Sequence, residues 1–253
     1  MQARQKYYAD VVIAGGGVAG TSAAVSAARN GLRVVLLETR ESLGGLATNG
    51  YVTGVAGMIE GICKEWLDRL KAEGNLVDTP HTPAVDPERG KLMLEQMALQ
   101  AGVRILYGIT VAECEIENDR IQRLVGYSRS GRMEFEASYF IDATGDAVLA
   151  AAAGVPCEVG SPEFGGLNMS STLAFRLANV NMAKYWDASQ AWAADADRNP
   201  DRLPFFQYYS YLEKQAVGAG ILPYFIFPAA LIYQVPGTAR EDADIVVMTT
   251  HSM

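Results

Sequence analysis

The sequence predicts an α/β fold built on a parallel sheet, and three features carry that expectation. A short apolar run at residues 10–14 ends in Gly15-Gly16-Gly17. An Ala-rich stretch follows at once and reads as a helix over Val18–Arg29. A second apolar run, residues 33–37, ends at Glu38. Both runs are continuous rather than alternating, as strands buried on two faces are. Two such strands joined by one helix are parallel, with a right-handed crossover.

The remaining elements follow in order. Asn30-Gly31 closes the first helix with a C-terminal cap signal. Residues 43–57 are rich in Gly, Ala and Thr and read as a loop. An amphipathic helix is expected over 61–73, with Ile62, Trp66, Leu67 and Leu70 on one side. Residues 78–85 are Pro-rich and loop-like. Asp86-Pro87-Glu88 opens another helix, with a capping Asp and a Pro at its first position, and Ala101-Gly102 ends it. Residues 103–107 form a strand. Strands at 109–116, 121–128 and 133–137, turned at Asn118-Asp119 and Ser130-Gly131, make an antiparallel meander. A separate short strand, 139–142, runs into Ala143-Thr144-Gly145. Asp146 is the expected cap of a short helix over 146–153. Beyond Gly154 aromatics and prolines rise and the strand-helix rhythm stops. Two domains are expected, residues 1–155 and 156–253. The run at 245–248 reads as an edge strand without partners.

Composition narrows the function. The 253 residues are 49% apolar and 20% charged, which excludes disorder and fibrous repeats. With 29 acidic and 21 basic side chains the net charge is −8, so no nucleic-acid partner is expected. Cys63, Cys114 and Cys157 form no CxxC pair, which fits a reducing compartment and predicts a cytoplasmic protein. Only His81 and His251 are present, so no metal is expected. The longest apolar stretch, 221–233, is too short to span a bilayer and holds Pro223 and Pro228. No membrane partner is expected.

Gly15-x-Gly17-x-x-Gly20 stands between strand and helix, where Rossmann-like folds hold a dinucleotide. Gly15 permits the tight turn, Gly17 lets the backbone approach a diphosphate, and Gly20 lets helix and strand pack closely. The helix start offers N–H groups and a partial positive charge to the anion. At the end of the second strand, Glu38 can accept hydrogen bonds from both hydroxyls of an adenosine ribose. Without a ligand the same residues are a glycine turn and a strand-end acid. Their order along the chain favours the dinucleotide.

Two further segments extend the pattern. These are Glu41-Ser42-Leu43-Gly44-Gly45-Leu46-Ala47-Thr48-Asn49-Gly50 and Ile141-Asp142-Ala143-Thr144-Gly145-Asp146. With them, residues 10 to about 180 resemble the FAD-dependent oxidoreductases of the two-dinucleotide-fold, glutathione-reductase type. Fumarate reductase flavoprotein subunits and the flavin subunit of heterodisulfide reductase are more distant relatives of that group. The resemblance implies a Rossmann-like FAD-binding domain with a parallel sheet and an antiparallel β-meander. An incomplete mixed α+β substrate domain follows it. The implied cofactor is FAD. Its diphosphate would lie at Gly15, Gly17, Val18, Ala19 and Gly20, and its adenosine at Glu38, Thr39, Arg40 and Val111. Gly44, Gly45, Ala47 and Thr48 would line the diphosphate and ribityl chain. Ala143, Thr144, Gly145 and Asp146 would pass near the adenosine, and residues 51–57 would approach the ring.

The implied activity is hydride transfer between a small organic substrate and bound FAD. No catalytic residue is assigned. Members of the group continue well past this chain's last residue, and no second Gly-rich motif follows Gly166. A second chain or a later C-terminal segment is therefore expected to complete the flavin site. The alternative is a non-catalytic nucleotide-binding or partner-binding half. An NAD-linked oxidoreductase is a third reading, against which Gly44-Gly45 and Ala143-Thr144-Gly145 argue. Arg176 reads as a carboxylate binder or a strand-edge arginine, and Cys63 as a redox thiol or a buried apolar residue. Tyr185, Trp186, Trp192, Phe205, Phe206, Tyr208 and Tyr209 read as a substrate wall, an aromatic core or an oligomer contact.

Overall fold

The structure is a computed structural model that describes residues 5–57, 59–78, 82–168, 171–204, 207–221 and 230–250. His81, Phe205, Phe206, Pro223, Pro228 and His251 lie outside the described residues. The chain divides into two compact units. The first comprises Met1–Gly50, Ala56–Leu76 and Val85–Val159. The second comprises Tyr51–Val55, Val77–Ala84 and Gly160–Met253.

In the first unit, β1 (Gln5–Ala14) leads through α1 (Val18–Arg29) into β2 (Val34–Glu38). The two strands are parallel, with Val11 opposite Val34 and Ala14 opposite Leu37. The helix is slim where it meets the sheet, burying Gly20, Thr21, Ala24 and Val25. Helix α2 (Gly61–Ala72) buries Trp66, Leu67 and Leu70, and the Trp66 Nε1–H donates to the Gly90 carbonyl at 3.2 Å. Two short strands, β3 (Leu76–Val77) and β4 (Ala84–Val85), mark where the chain leaves and re-enters the unit. Helix α3 (Pro87–Gln100) begins as its sequence predicts. The Asp86 carboxylate accepts from the N–H of Glu88 at 2.8 Å and of Arg89 at 3.1 Å, and Pro87 needs no partner.

Strand β5 (Arg104–Tyr107) pairs parallel with β2. The meander is β6 (Thr110–Glu117), β7 (Arg120–Ser128) and β8 (Gly131–Asp142). Asn118 and Asp119 both have positive φ, as a two-residue hairpin turn requires. The sheet order is β5-β2-β1-β8-β7-β6. Here one expectation is corrected: residues 133–137 and 139–142 are not two strands. They belong to the single strand β8, because β1 begins at Gln5 and runs parallel beside both stretches, from Gln5 opposite Met133 to Ala14 opposite Asp142. The first half of β8 also pairs antiparallel with β7. The meander and the parallel strands thus share one core, in which Phe135, Leu124, Val12 and Leu37 meet Leu149 of α4 (Val148–Ala152).

The second unit has a three-stranded antiparallel sheet with order β10-β11-β9. Its strands are β9 (Thr172–Val180), β10 (Ala230–Gln234) and β11 (Ala243–Thr250). Residues 245–248 are therefore no edge. They lie in the central strand, where Ile245 and Val247 pack with Phe175, Val180 and Ile232. Helices α5 (Met182–Ala194) and α6 (Tyr208–Gly218) complete the unit. Among the described residues, no helix is long and apolar enough to cross a membrane, and no group of three or more His, Cys, Asp or Glu could hold a metal.

Candidate functional site

The site lies at the C-terminal ends of β1, β2 and β8, where three separate segments of the first unit converge. Gly15 follows β1 with φ +97°, a conformation that side chains resist, and its N–H donates to the Leu37 carbonyl at 2.8 Å. A Cβ on Gly15 would stand 2.5 Å from the Ala143 carbonyl oxygen. One on Gly20 would stand 1.9 Å from the Gly15 carbonyl oxygen and 3.0 Å from the Ala143 Cβ. These glycines are therefore packing requirements within the protein. Gly17 differs: a Cβ there would meet nothing within 4 Å. Its openness faces away from the protein.

Gly17 also caps α1, with no side-chain cap and no acidic residue in the first turn. The first helical bond runs from the Thr21 N–H to the Gly17 carbonyl at 2.9 Å. The N–H groups of Val18, Ala19 and Gly20 precede it and have no helical acceptor, so the helix start presents donors to an anion.

Gly16 lies outside the GxGxxG positions, yet it ties the segments together. Its N–H donates to Glu38 Oε2 at 2.7 Å, and its carbonyl accepts from the Gly44 N–H at 2.8 Å. A Cβ on Gly16 would stand 2.6 Å from the buried Leu43 side chain. Gly17 and Gly44 form an isolated parallel bridge, and a Cβ on Gly45 would stand 3.1 Å from the Gly17 Cα. The run of three glycines was the available signal that Gly16 belongs to the site.

Glu38 is buried, at 7% exposure. Besides Gly16, its carboxylate accepts from the Arg40 N–H at 2.7 Å and the Thr39 hydroxyl at 3.1 Å. A carboxylate has about four acceptor sites. One remains open here, and rotation of the Thr39 hydroxyl frees another. The start of the meander runs beside this acid: Ile109 and Gly108 donate to the Glu38 and Arg40 carbonyls at 3.0 and 3.3 Å. Val111 follows with its side chain in the core. Tyr107, in register with Glu38, donates to Glu95 at 2.9 Å. Burial and that carboxylate together hold its phenol well above the ordinary range.

Several expected residues sit differently. Thr48 is fully buried and its hydroxyl donates to the Leu43 carbonyl at 2.7 Å, so its side chain braces its own loop. Gly44 has φ +105° and packs on Thr48, and Gly45 to Ala47 form a 3-10 turn. Asp146 is exposed and does not cap α4. The cap position is Ala147 with positive φ, which leaves Asp146 one residue too early. Asp142 and Thr144 do the work instead. Asp142 accepts from the Thr144 N–H, the Thr144 hydroxyl and the Ala150 N–H at 2.9, 2.7 and 2.8 Å, and the Thr144 hydroxyl oxygen accepts from the Val148 N–H at 2.9 Å. Burial raises the Asp142 carboxyl, but these donors outweigh it and leave it below the ordinary range.

Other candidates have structural partners. Arg176 pairs with Asp244 on the neighbouring strand. Burial pushes the Cys63 thiol up, against a thiolate role. In the second unit Trp192 packs against Tyr208 and Tyr211, with ring centres 5.7 and 5.4 Å apart, and Tyr185 lies 5.6 Å from Tyr208. These rings form the packing between α5 and α6.

A parallel sheet ending in a glycine turn, with a helix start and a strand-end acid around it, defines a Rossmann-like protein. The chain belongs to the FAD dependent oxidoreductase family, whose model matches residues 10–246. It is 31% identical over 145 residues to a thiamine thiazole synthase of Methanococcus vannielii, covering 54% of this chain and 56% of that protein. Over 154 residues it is 32% identical to the thiamine thiazole synthase of Methanococcus maripaludis, 54% of this chain and 55% of the relative. The chain thus spans about half the length of the curated relatives it matches. The geranylgeranyl bacteriochlorophyll reductase-like protein of Thermoplasma acidophilum shares the fold. The TM-score is 0.57 at 18% identity, over 97% of this chain and 57% of that one. Family membership assigns FAD as the cofactor.

Proposed function

We propose that this chain is the FAD-binding part of an oxidoreductase that moves hydride between a small organic substrate and FAD. One observation carries the reading. Gly15–Gly20, Gly44–Gly45 and Ala143–Thr144 are distant in sequence and meet at one end of the sheet, with Glu38 among them. Bound FAD supplies two-electron chemistry at its ring. This chain's residues hold its other end. The N–H groups of Val18, Ala19 and Gly20 receive the diphosphate, the bare face of Gly17 admits it, and Glu38 with Thr39 and Arg40 meets the ribose. Val111 borders the adenosine through its backbone, its side chain lying in the core. Gly44, Gly45, Ala47 and Thr48 line the chain toward the flavin, the last through its backbone. Ala143, Thr144, Gly145 and Asp146 border the same end.

The substrate contacts and the rest of the flavin site come from a second chain or a further segment. That no second Gly-rich motif follows Gly166 supports this. The free cysteines fit a cytoplasmic setting.

The test is the visible spectrum of the purified protein, followed by identification of any flavin released on denaturation. Released FAD supports the reading. A colourless protein that takes up no added FAD refutes it. The identity to thiamine thiazole synthases favours a second reading, a reaction of that kind on the same dinucleotide fold. Formation of a thiazole product by the purified protein would select it.

A further inference from the structure

We infer that Asp142 is a positioning residue, which fixes the cofactor loop through the Ala143–Thr144 turn without touching the cofactor. The inference rests on the FAD reading above. Asp142 is the last residue of β8, in register with Ala14. Its two oxygens do different jobs. Oδ1 gathers the N–H and hydroxyl of Thr144, and Oδ2 takes the N–H of Ala150. One carboxylate therefore joins a strand end, a turn and a helix that has no side-chain cap of its own.

That turn has no slack. The Ala143 N–H donates to the Ala14 carbonyl at 2.8 Å. The Ala143 carbonyl oxygen lies 2.5 Å from where a Gly15 Cβ would be, and the Ala143 methyl lies against Gly20. A shift of a few tenths of an ångström at Ala143 must be passed to the glycine loop, because closely packed backbone cannot absorb it. The residue type follows from the same geometry. Asn would turn an NH2 group toward either the Thr144 or the Ala150 N–H, donor against donor. A hydroxyl side chain has one oxygen for two separate acceptor positions.

Asp86 supplies a matched control. Its carboxylate also takes two backbone N–H groups at a helix start, and it lies outside the glycine loop's contacts. The experiment compares Asp142→Asn and Asp86→Asn in the whole chain. It measures melting temperature, FAD affinity by titration of the apo-protein, and amide hydrogen exchange at Gly15, Gly16 and Gly44 without cofactor.

Both variants should melt at lower temperature. Asp142→Asn alone should weaken FAD binding about tenfold and speed exchange in the glycine loop. Asp86→Asn should leave both unchanged. Equal FAD affinities in the two variants, with loop exchange unaltered in each, would overturn the inference. If the unaltered protein takes up no FAD, the cofactor reading fails, and the exchange data alone decide the positioning role. Should Asp142→Asn not fold, Asp142→Glu keeps the charge, displaces it by one methylene, and is held to the same outcomes.

Discussion

Replacing Gly20 by Ala separates the two uses of glycine at this site. The new Cβ would stand 1.9 Å from the Gly15 carbonyl oxygen, where contacts below 3.0 Å essentially do not occur. The neighbour is backbone, itself bonded into the sheet through the Gly15 N–H. The helix or the turn must therefore retreat by about 1 Å, and overpacking of that kind costs about 3 kcal/mol. Ala is the better helix former by up to about 1 kcal/mol, which offsets part of it. The net loss is about 2 kcal/mol, or a fall of about 4–8 °C in melting temperature for a chain of this size. Gly17→Ala meets open space, so its melting temperature should fall by no more than about 2 °C, the cost of a poorer helix cap. Its FAD affinity should fall about tenfold or more, because the methyl occupies the bare face. Thermal melts and FAD titrations of the two apo-proteins give the comparison. Equal melting temperatures for Gly20→Ala and the unaltered protein would refute the packing argument. Unchanged FAD affinity in Gly17→Ala would refute the assigned approach face.

Glu38→Gln sets an amide NH2 against the Gly16 or Arg40 N–H. It should cost about 1–3 kcal/mol by chemical denaturation and weaken FAD binding as well. Gly44→Ala must hold φ near +105° and meet Thr48 at 2.4 Å, so the melt should show a loss of at least about 1 kcal/mol. Arg29 hydrogen-bonds Glu65 and lowers its pKa from 4.5 to about 2. A lowered folded-state pKa adds stability above the unfolded value that is lost as pH falls through the folded one. Melting temperature should therefore drop between about pH 4.5 and 2, and Arg29→Met should flatten that part of the profile.

Local signals were readable in the sequence, and long-range partners were not. Helix α1 and the Asp86 cap rest on neighbouring residues, so composition and spacing reveal them. The division of β8 failed because exposed Ser138 and Tyr139 look like a break, while the register that spans them is supplied by β1. Asp146 sits next to a helix and looks like its cap. Asp142 reaches forward across the turn to Thr144 and Ala150, which only the fold displays. The glycine motifs could each be read alone. That Gly16 clasps both Glu38 and Gly44 depends on three chain segments meeting.

The long pairing of β1 with β8 has a consequence for how this unit assembles. Strand β1 finds one of its two neighbours, β2, soon after it is made, but the other arrives only after the whole meander has been made. Until then one side of β1 is an open edge carrying Val11, Val12 and Ile13. The hairpins of the meander close locally and can form first. They deliver β8 already paired on its far side, so docking of a preformed ribbon onto a waiting strand completes the sheet. The interval before docking is when the nascent chain is most exposed to aggregation.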